Sequence, residues 1–210
     1  MSNFLVSLDA SFTRTGICII DLVNRTICFE TASCKIGEKQ FENVFKAAKS
    51  IVKQIKEIIT KYCGTDFDLV IESPLPCSSM SPALYALDTL IVNEFEDHIK
   101  ITYNPRTLAS KIHGHKYSKT DSQELANKYI NILSSSMYTI ISVMGTKRKI
   151  VHDCAESFLY SHLYLKNSGH PDFQFDNSDD KLAYKERMKE LKKRERLLLK
   201  QELIVPTQGD

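Results

Sequence analysis

Three apolar runs stand close together at the start of the chain: residues 4–9 (FLVSLD), 15–22 (TGICIIDL) and 26–34 (TICFETASC). The links between them are too short for a helical crossover, so the runs must pair antiparallel as a meander. No other feature restricts the fold as much. Beyond residue 40 the rhythm changes. Phe41, Val44, Phe45, Ala48, Ile51, Val52, Ile55, Ile58, Ile59 and Tyr62 recur at spacings of three and four, which predicts a long core-facing helix stopped by Gly64. DLVIE (68–72) reads as a buried strand and SPLPCSSMSP as a loop. Residues 82–97 read as a helix with Leu84, Leu87, Leu90, Ile91 and Phe95 on one face, and KITYN (100–104) as a fifth strand. Short helical stretches come next at 105–113 and 120–133, on either side of a polar, basic loop (GHKYSK). MYTIISV (137–143) is β-rich in composition yet compatible with helix, and a further helix spans about 151–165. A meander followed by helical crossovers predicts an α/β fold: a mixed five-stranded sheet flanked by helices, with a basic helical extension at the C-terminus. The expected division is a domain over 1–166, a linker over 167–180 and the extension over 181–210.

Composition excludes several classes. Hydrophobic residues make up 42% of the 210, enough for a core, and no apolar stretch is long enough for a membrane span. The opening residues lack a basic segment ahead of an apolar run, so no secretion signal and a cytoplasmic location are expected. The six cysteines form no C-x-x-C pair, which argues against a disulfide framework or a zinc site. Net charge is +2, but Lys181 to Lys200 holds nine Lys/Arg against three Glu, leaving about −4 for the remainder. A basic appendage on a slightly acidic body suits a polyanionic partner and a carboxylate site that needs cations.

Four carboxylates are candidates for that site. Asp9 ends the first run; it is either a turn aspartate capping its own backbone or a metal ligand. Glu72 ends DLVIE. Asp153 and Glu156 lie three apart on one helix, a spacing that puts both on one face. If 68–72 returns parallel beside 4–9, Asp9 and Glu72 meet at neighbouring carboxyl ends. Carboxylates without cysteine ligands suit hard cations, Mg²⁺ or Mn²⁺. Two such ions about 3.5–4 Å apart can grip one phosphate.

The motifs then become specific. VSLDASFTRTGICII resembles the first strand pair of RuvC-type Holliday junction resolvases, in the RNase H-like (retroviral integrase) superfamily: Asp9, Thr15 and Gly16 keep the family's spacing. DLVIES resembles the strand that supplies the family's glutamate. YNPRTLASKIHGHKYSKTDSQ is similar to a family segment through Pro105, Arg106, Gly114, Lys119, Ser122 and Gln123. DCAES resembles the closing Asp-x-x-Asp-Ala helix, with Glu156 in place of the second aspartate. The resemblance spans roughly residues 4–165. Ala10 and Ser11 replace the usual Pro-Gly, Leu75 stands where bacterial members carry an aromatic wedge, Ala109 replaces a lysine with Lys111 nearby, and the basic tail is extra. These departures suggest a phage or other viral version.

The resemblance implies a structure-selective endonuclease that resolves four-way DNA junctions by paired symmetric nicks, leaving 5′-phosphate and 3′-hydroxyl ends. It implies Asp9, Glu72, Asp153 and Glu156 as catalytic metal ligands for two Mg²⁺ ions, with Mn²⁺ able to substitute. It implies Lys111, Lys116, Lys119, Arg106 and Leu75 as DNA contacts, His152 as an auxiliary group, branched DNA as partner and a homodimer as the working unit. Thr13, Arg14 and Lys147-Arg148-Lys149 are further candidates for phosphate contact. The alternatives are a non-catalytic nucleic-acid-binding protein of the same fold, an actin-like-fold ATPase, whose phosphate loop also follows an aspartate with Thr-Gly, and RNase H-type cleavage of hybrids.

Overall fold

Side chains alternate faces along a strand, and in this protein the alternation sorts the first strand into two halves. Leu5 packs into one apolar cluster, Val6 and Leu8 into the other. The computed structural model describes residues 2–34, 41–72, 82–104, 107–113, 118–136, 138–142 and 150–175. Its six strands are β1 (Phe4–Asp9), β2 (Thr15–Asp21), β3 (Thr26–Ala32), β4 (Asp68–Glu72), β5 (Ile99–Tyr103) and β6 (Thr139–Ser142), in the order β5-β4-β1-β2-β3-β6. The first three form the expected antiparallel meander. β4 runs parallel to β1, β5 parallel to β4, and β6 parallel to β3. The α/β sheet flanked by helices is therefore as expected, with a sixth strand added. It comes from the segment whose composition left strand and helix open, and its exposed Ile141 gives the reason: an edge strand buries too little to show a clear period.

Helix α1 (Phe41–Cys63) crosses from β3 to β4, and α2 (Pro82–Phe95) crosses from β4 toward β5. Both cover the face that carries Val6, Leu8, Ile17, Ile19, Leu69 and Ile71. Ala48, Ile51, Val52, Ile55 and Ile59 of the predicted stripe are buried there. Phe45 is not; it is 47% exposed, because only part of a helix's circumference meets the sheet. Gly64, at φ 65°, closes α1 in the left-handed conformation that a side chain would strain.

The opposite face is covered by α3 (Lys119–Ser136) and α4 (His152–Asn167). Small residues let α4 come close. The Ser7 hydroxyl donates to the Ser157 carbonyl at 2.6 Å and meets the Ser161 hydroxyl at 2.6 Å. A Cβ on Gly16 would lie 2.1 Å from the Asp153 carbonyl carbon, so the first turn of α4 rests directly on the backbone of β2. That contact is the physical reason for glycine after Thr15.

Part of the segment expected as a linker is instead core. A short 3-10 turn over Pro171–Phe173 inserts Phe173, fully buried, against Tyr138, His162 and His170, with Phe175 packed alongside. Two aromatics in polar surroundings carry no periodicity, so the sequence pattern concealed them. The rest of the linker and the basic extension over 181–210 lie outside the described residues. Among the described residues, no helix is long and apolar enough to cross a membrane.

Candidate metal centre

Strand parity and register bring Asp9 and Glu72 together. Residues 5, 7 and 9 of β1 face α4, as do residues 70 and 72 of β4. The parallel register pairs Leu8 with Ile71, so Asp9 and Glu72 are the next residues on adjacent strands, at the carboxyl ends and on the same face. Glu156, on the second turn of α4, comes down onto them. One carboxylate oxygen from each of Asp9, Glu72 and Glu156 lies within 4.8 Å of the other two.

Two of the three acids, Asp9 and Glu72, hold their protons more tightly than usual. Burial pushes the Asp9 carboxyl well above its ordinary range, and the charges of Glu72 and Glu156 push it further. Burial also raises Glu72, to about 7. Hydrogen bonds donated to it by protonated Asp9 and by the Tyr160 hydroxyl pull the other way, as does the nearby His152. Tyr160 sits one turn after Glu156 and stacks on Tyr103, with ring centroids 5.7 Å apart. Its role is an i,i+4 consequence that the sequence contained but did not flag.

The donor set fits a hard divalent cation. All three groups offer carboxylate oxygen, and two ligands on opposite sides of one Mg²⁺ stand about 4 Å apart. Their present spacing needs only small side-chain adjustment to reach that. Divalent charge would also relieve the repulsion that raises the proton affinities.

Asp153 does not join the three. Its carboxylate accepts the Arg14 Nε–H at 2.6 Å, across the mouth of the β1–β2 loop. Of the two acids of α4, Glu156 lies in the cluster and Asp153 does not. The i,i+3 spacing did put the two on one side of the helix, but a cation from a distant loop claims the first of them. Arg14, expected as a phosphate contact, has this second role.

Glu156 is held from two sides. His152 Nε2 stands 3.2 Å from Oε2, one turn earlier on α4, while the His152 Nδ1 atom is buried with no hydrogen-bond partner among the described residues. The Ser122 hydroxyl donates to Oε1 at 3.2 Å. Ser122 belongs to the first turn of α3, whose start is closed by reciprocal bonds: Ser118 N–H to Asp121 Oδ2 at 2.7 Å and Asp121 N–H to Ser118 Oγ at 3.3 Å. Lys119 is exposed on that same turn, and Lys111 is exposed on the π-helical turn Leu108–His113. Arg106, Lys116, Leu75 and Lys147-Arg148-Lys149 lie outside the described residues.

No family model matches the chain, and no curated protein matches it in sequence. Solved structures do match. The Thermus thermophilus RuvC structure is similar with a TM-score of 0.52 at 9% identity, over 79% of this chain and 96% of that one. T. thermophilus RuvC in complex with Holliday junction substrate gives a TM-score of 0.48 at 8% identity, over the same shares of both chains. Identities this low speak for architecture alone. With its meander, its parallel flanking strands and its crossover helices, the chain has a RuvC-like fold of the RNase H type.

Proposed function

We propose that the protein is a divalent-metal-dependent endonuclease that resolves four-way DNA junctions. The observation that carries this reading is the meeting of Asp9 and Glu72, at the ends of adjacent parallel strands, with Glu156 of α4. Asp9, Glu72 and Glu156 would hold the metal, with Asp153 able to join when Arg14 turns to a substrate phosphate. Bound divalent ions supply Lewis-acid stabilisation of the scissile phosphate and of the departing oxygen. The protein's own groups orient and contain the reaction. Asp9 and Glu72 fix the reaction centre to the rigid end of the sheet. Tyr160 limits the motion of Glu72 by donating to it, and His152 holds the second carboxylate oxygen of Glu156. Water attacks phosphorus in line, the P–O3′ bond breaks, and the products carry 5′-phosphate and 3′-hydroxyl. Arg106, Lys111, Lys116 and Lys119 would bind backbone phosphates, Leu75 would enter the branch point, and a homodimer would place two sites on a nearly twofold junction.

One observation favours a second reading. With Asp153 engaged by Arg14, only three acids face one another among the described residues, which would suit a junction-binding protein that has lost cleavage. The two separate in one experiment. Purified protein is incubated with Mg²⁺ and synthetic four-way junctions, beside linear duplex, flap and RNA–DNA hybrid. Paired symmetric nicks in the junction are expected, lost in Asp9→Asn while junction binding persists. Equal cutting of linear duplex removes the junction claim, preferred cutting of hybrid moves the reading to an RNase H activity, and full cutting by the variant removes the site.

A further inference from the structure

Glu156 is one methylene longer than Asp9 and reaches the cluster from a helix, whereas Asp9 and Glu72 are fixed to the sheet. A longer side chain has one more torsion to fix before it can serve as a ligand, so its placement needs support from outside α4. Among the described residues, α3 supplies such support. Ser122, fully buried, donates to Glu156 Oε1 at 3.2 Å, and its oxygen lies 3.4 Å from Nε2 of His113, itself only 2% exposed. Because the serine proton points to the carboxylate, His113 Nε2–H is the donor to Ser122. The next residue, Gln123, donates its side-chain N–H to the Ile150 carbonyl at 2.9 Å, just before α4 begins. The reciprocal Ser118/Asp121 bonds then fix the turn that carries both residues. A single turn of α3 thus holds the start of α4 and the tip of its glutamate together.

We propose that Ser122 is a positioning residue: through the chain His113–Ser122–Glu156 it sets the glutamate's carboxylate toward Asp9 and Glu72, and so sets the affinity of the centre for a divalent cation. This rests on reading the three acids as a metal site. The glutamate's other oxygen, facing His152, is left to set the approach of water. A donor to a ligating carboxylate orients it and excludes competing rotamers, and loss of such a partner costs about 10–100-fold in metal affinity.

The test is Mn²⁺ titration calorimetry on the full chain without DNA, together with the melting temperature in EDTA. Ser122→Ala is expected to bind Mn²⁺ about 10–100-fold more weakly, while Ser122→Thr, which keeps the hydroxyl, stays within a few-fold of the parent. In the junction assay, Ser122→Ala should need a correspondingly higher Mn²⁺ concentration for half-maximal rate, with the rate at saturation largely kept. Should Ser122→Ala melt too low to titrate, Ser122→Cys, similar in shape but a much weaker donor, replaces it with the same expectation. Parent-like Mn²⁺ binding by Ser122→Ala or Ser122→Cys overturns the proposal and leaves the metal site standing. Equal weakening in the alanine and threonine variants also overturns it, since packing would then be the cause. A parent protein that binds no Mn²⁺ overturns both.

Discussion

Removing one charge from the acidic cluster should stabilise the metal-free protein, and only above a definite pH. The Glu72 carboxyl has an ordinary value of 4.5 and is raised to about 7 in the fold, with burial as the main cause. A raised acid holds its proton more tightly in the folded state. Its linkage is therefore most favourable below the unfolded value and is lost as pH climbs through about 7. The gap of roughly 2.5 units corresponds to about 3 kcal/mol at 1.36 kcal/mol per unit. For a domain of this size that is roughly 6–12 °C in melting temperature. Glu72→Gln cannot ionise, and its amide oxygen can still accept from Tyr160. In EDTA, the variant should melt close to the parent at pH 5 and roughly 6–12 °C above it at pH 8.5. Adding Mg²⁺ at pH 8.5 should raise the parent and leave Glu72→Gln nearly unmoved, because the cation replaces the proton only where the carboxylate remains. Scanning calorimetry at the two pH values, with and without metal, measures all four quantities. Parallel pH dependence in the two proteins, or a variant that melts lower at pH 8.5, would refute the electrostatic account of the cluster.

Other perturbations test the same geometry. Gly16→Ala puts a Cβ 2.1–2.6 Å from backbone atoms of Asp153 and Cys154. Backbone cannot swing aside, so α4 must lift; a loss of about 1–3 kcal/mol is expected, with weakened Mn²⁺ binding, read by denaturant melts and calorimetry. Arg14→Ala removes a half-exposed ion pair and should change stability by under about 1 kcal/mol; it should tighten Mn²⁺ binding, because Asp153 then adds uncompensated negative charge. Phe173→Ala empties a fully enclosed site and should cost about 3–5 kcal/mol, read by denaturant melts.

Much of this fold was legible because its decisive signals are local. Short links dictated the meander, and residues 5 to 9 and 68 to 72 carried the apolar pattern of strands covered on both faces. Given a parallel return, the meeting of Asp9 and Glu72 follows from counting residues. Other features were hidden for identifiable reasons. The Arg14–Asp153 pair joins residues 139 apart, and nothing in either neighbourhood announces it. Ser122 stands out in the sequence only as part of a family-like segment with no role attached, and only the packing of α3 on α4 gives its hydroxyl a target. Phe173 and Phe175 sit among a proline, a glycine and several aspartates that read as linker, yet the aromatic cluster at the far end of α4 takes them in. Phe45 shows the opposite error: a residue on the right helical phase but beyond the reach of the sheet.

The late position of α4 in the chain bears on how the protein is made. Leu5, Cys18, Ile20, Phe29 and Val70 all belong to the face that α4 roofs. About eighty residues separate Glu72 from Glu156, which at ribosomal speed is roughly 4–17 s of synthesis. Through that interval the nascent sheet displays an unroofed greasy surface, a natural client for chaperones. Two of the three clustered acids wait without the third, so the acidic cluster cannot close until α4 has left the exit tunnel.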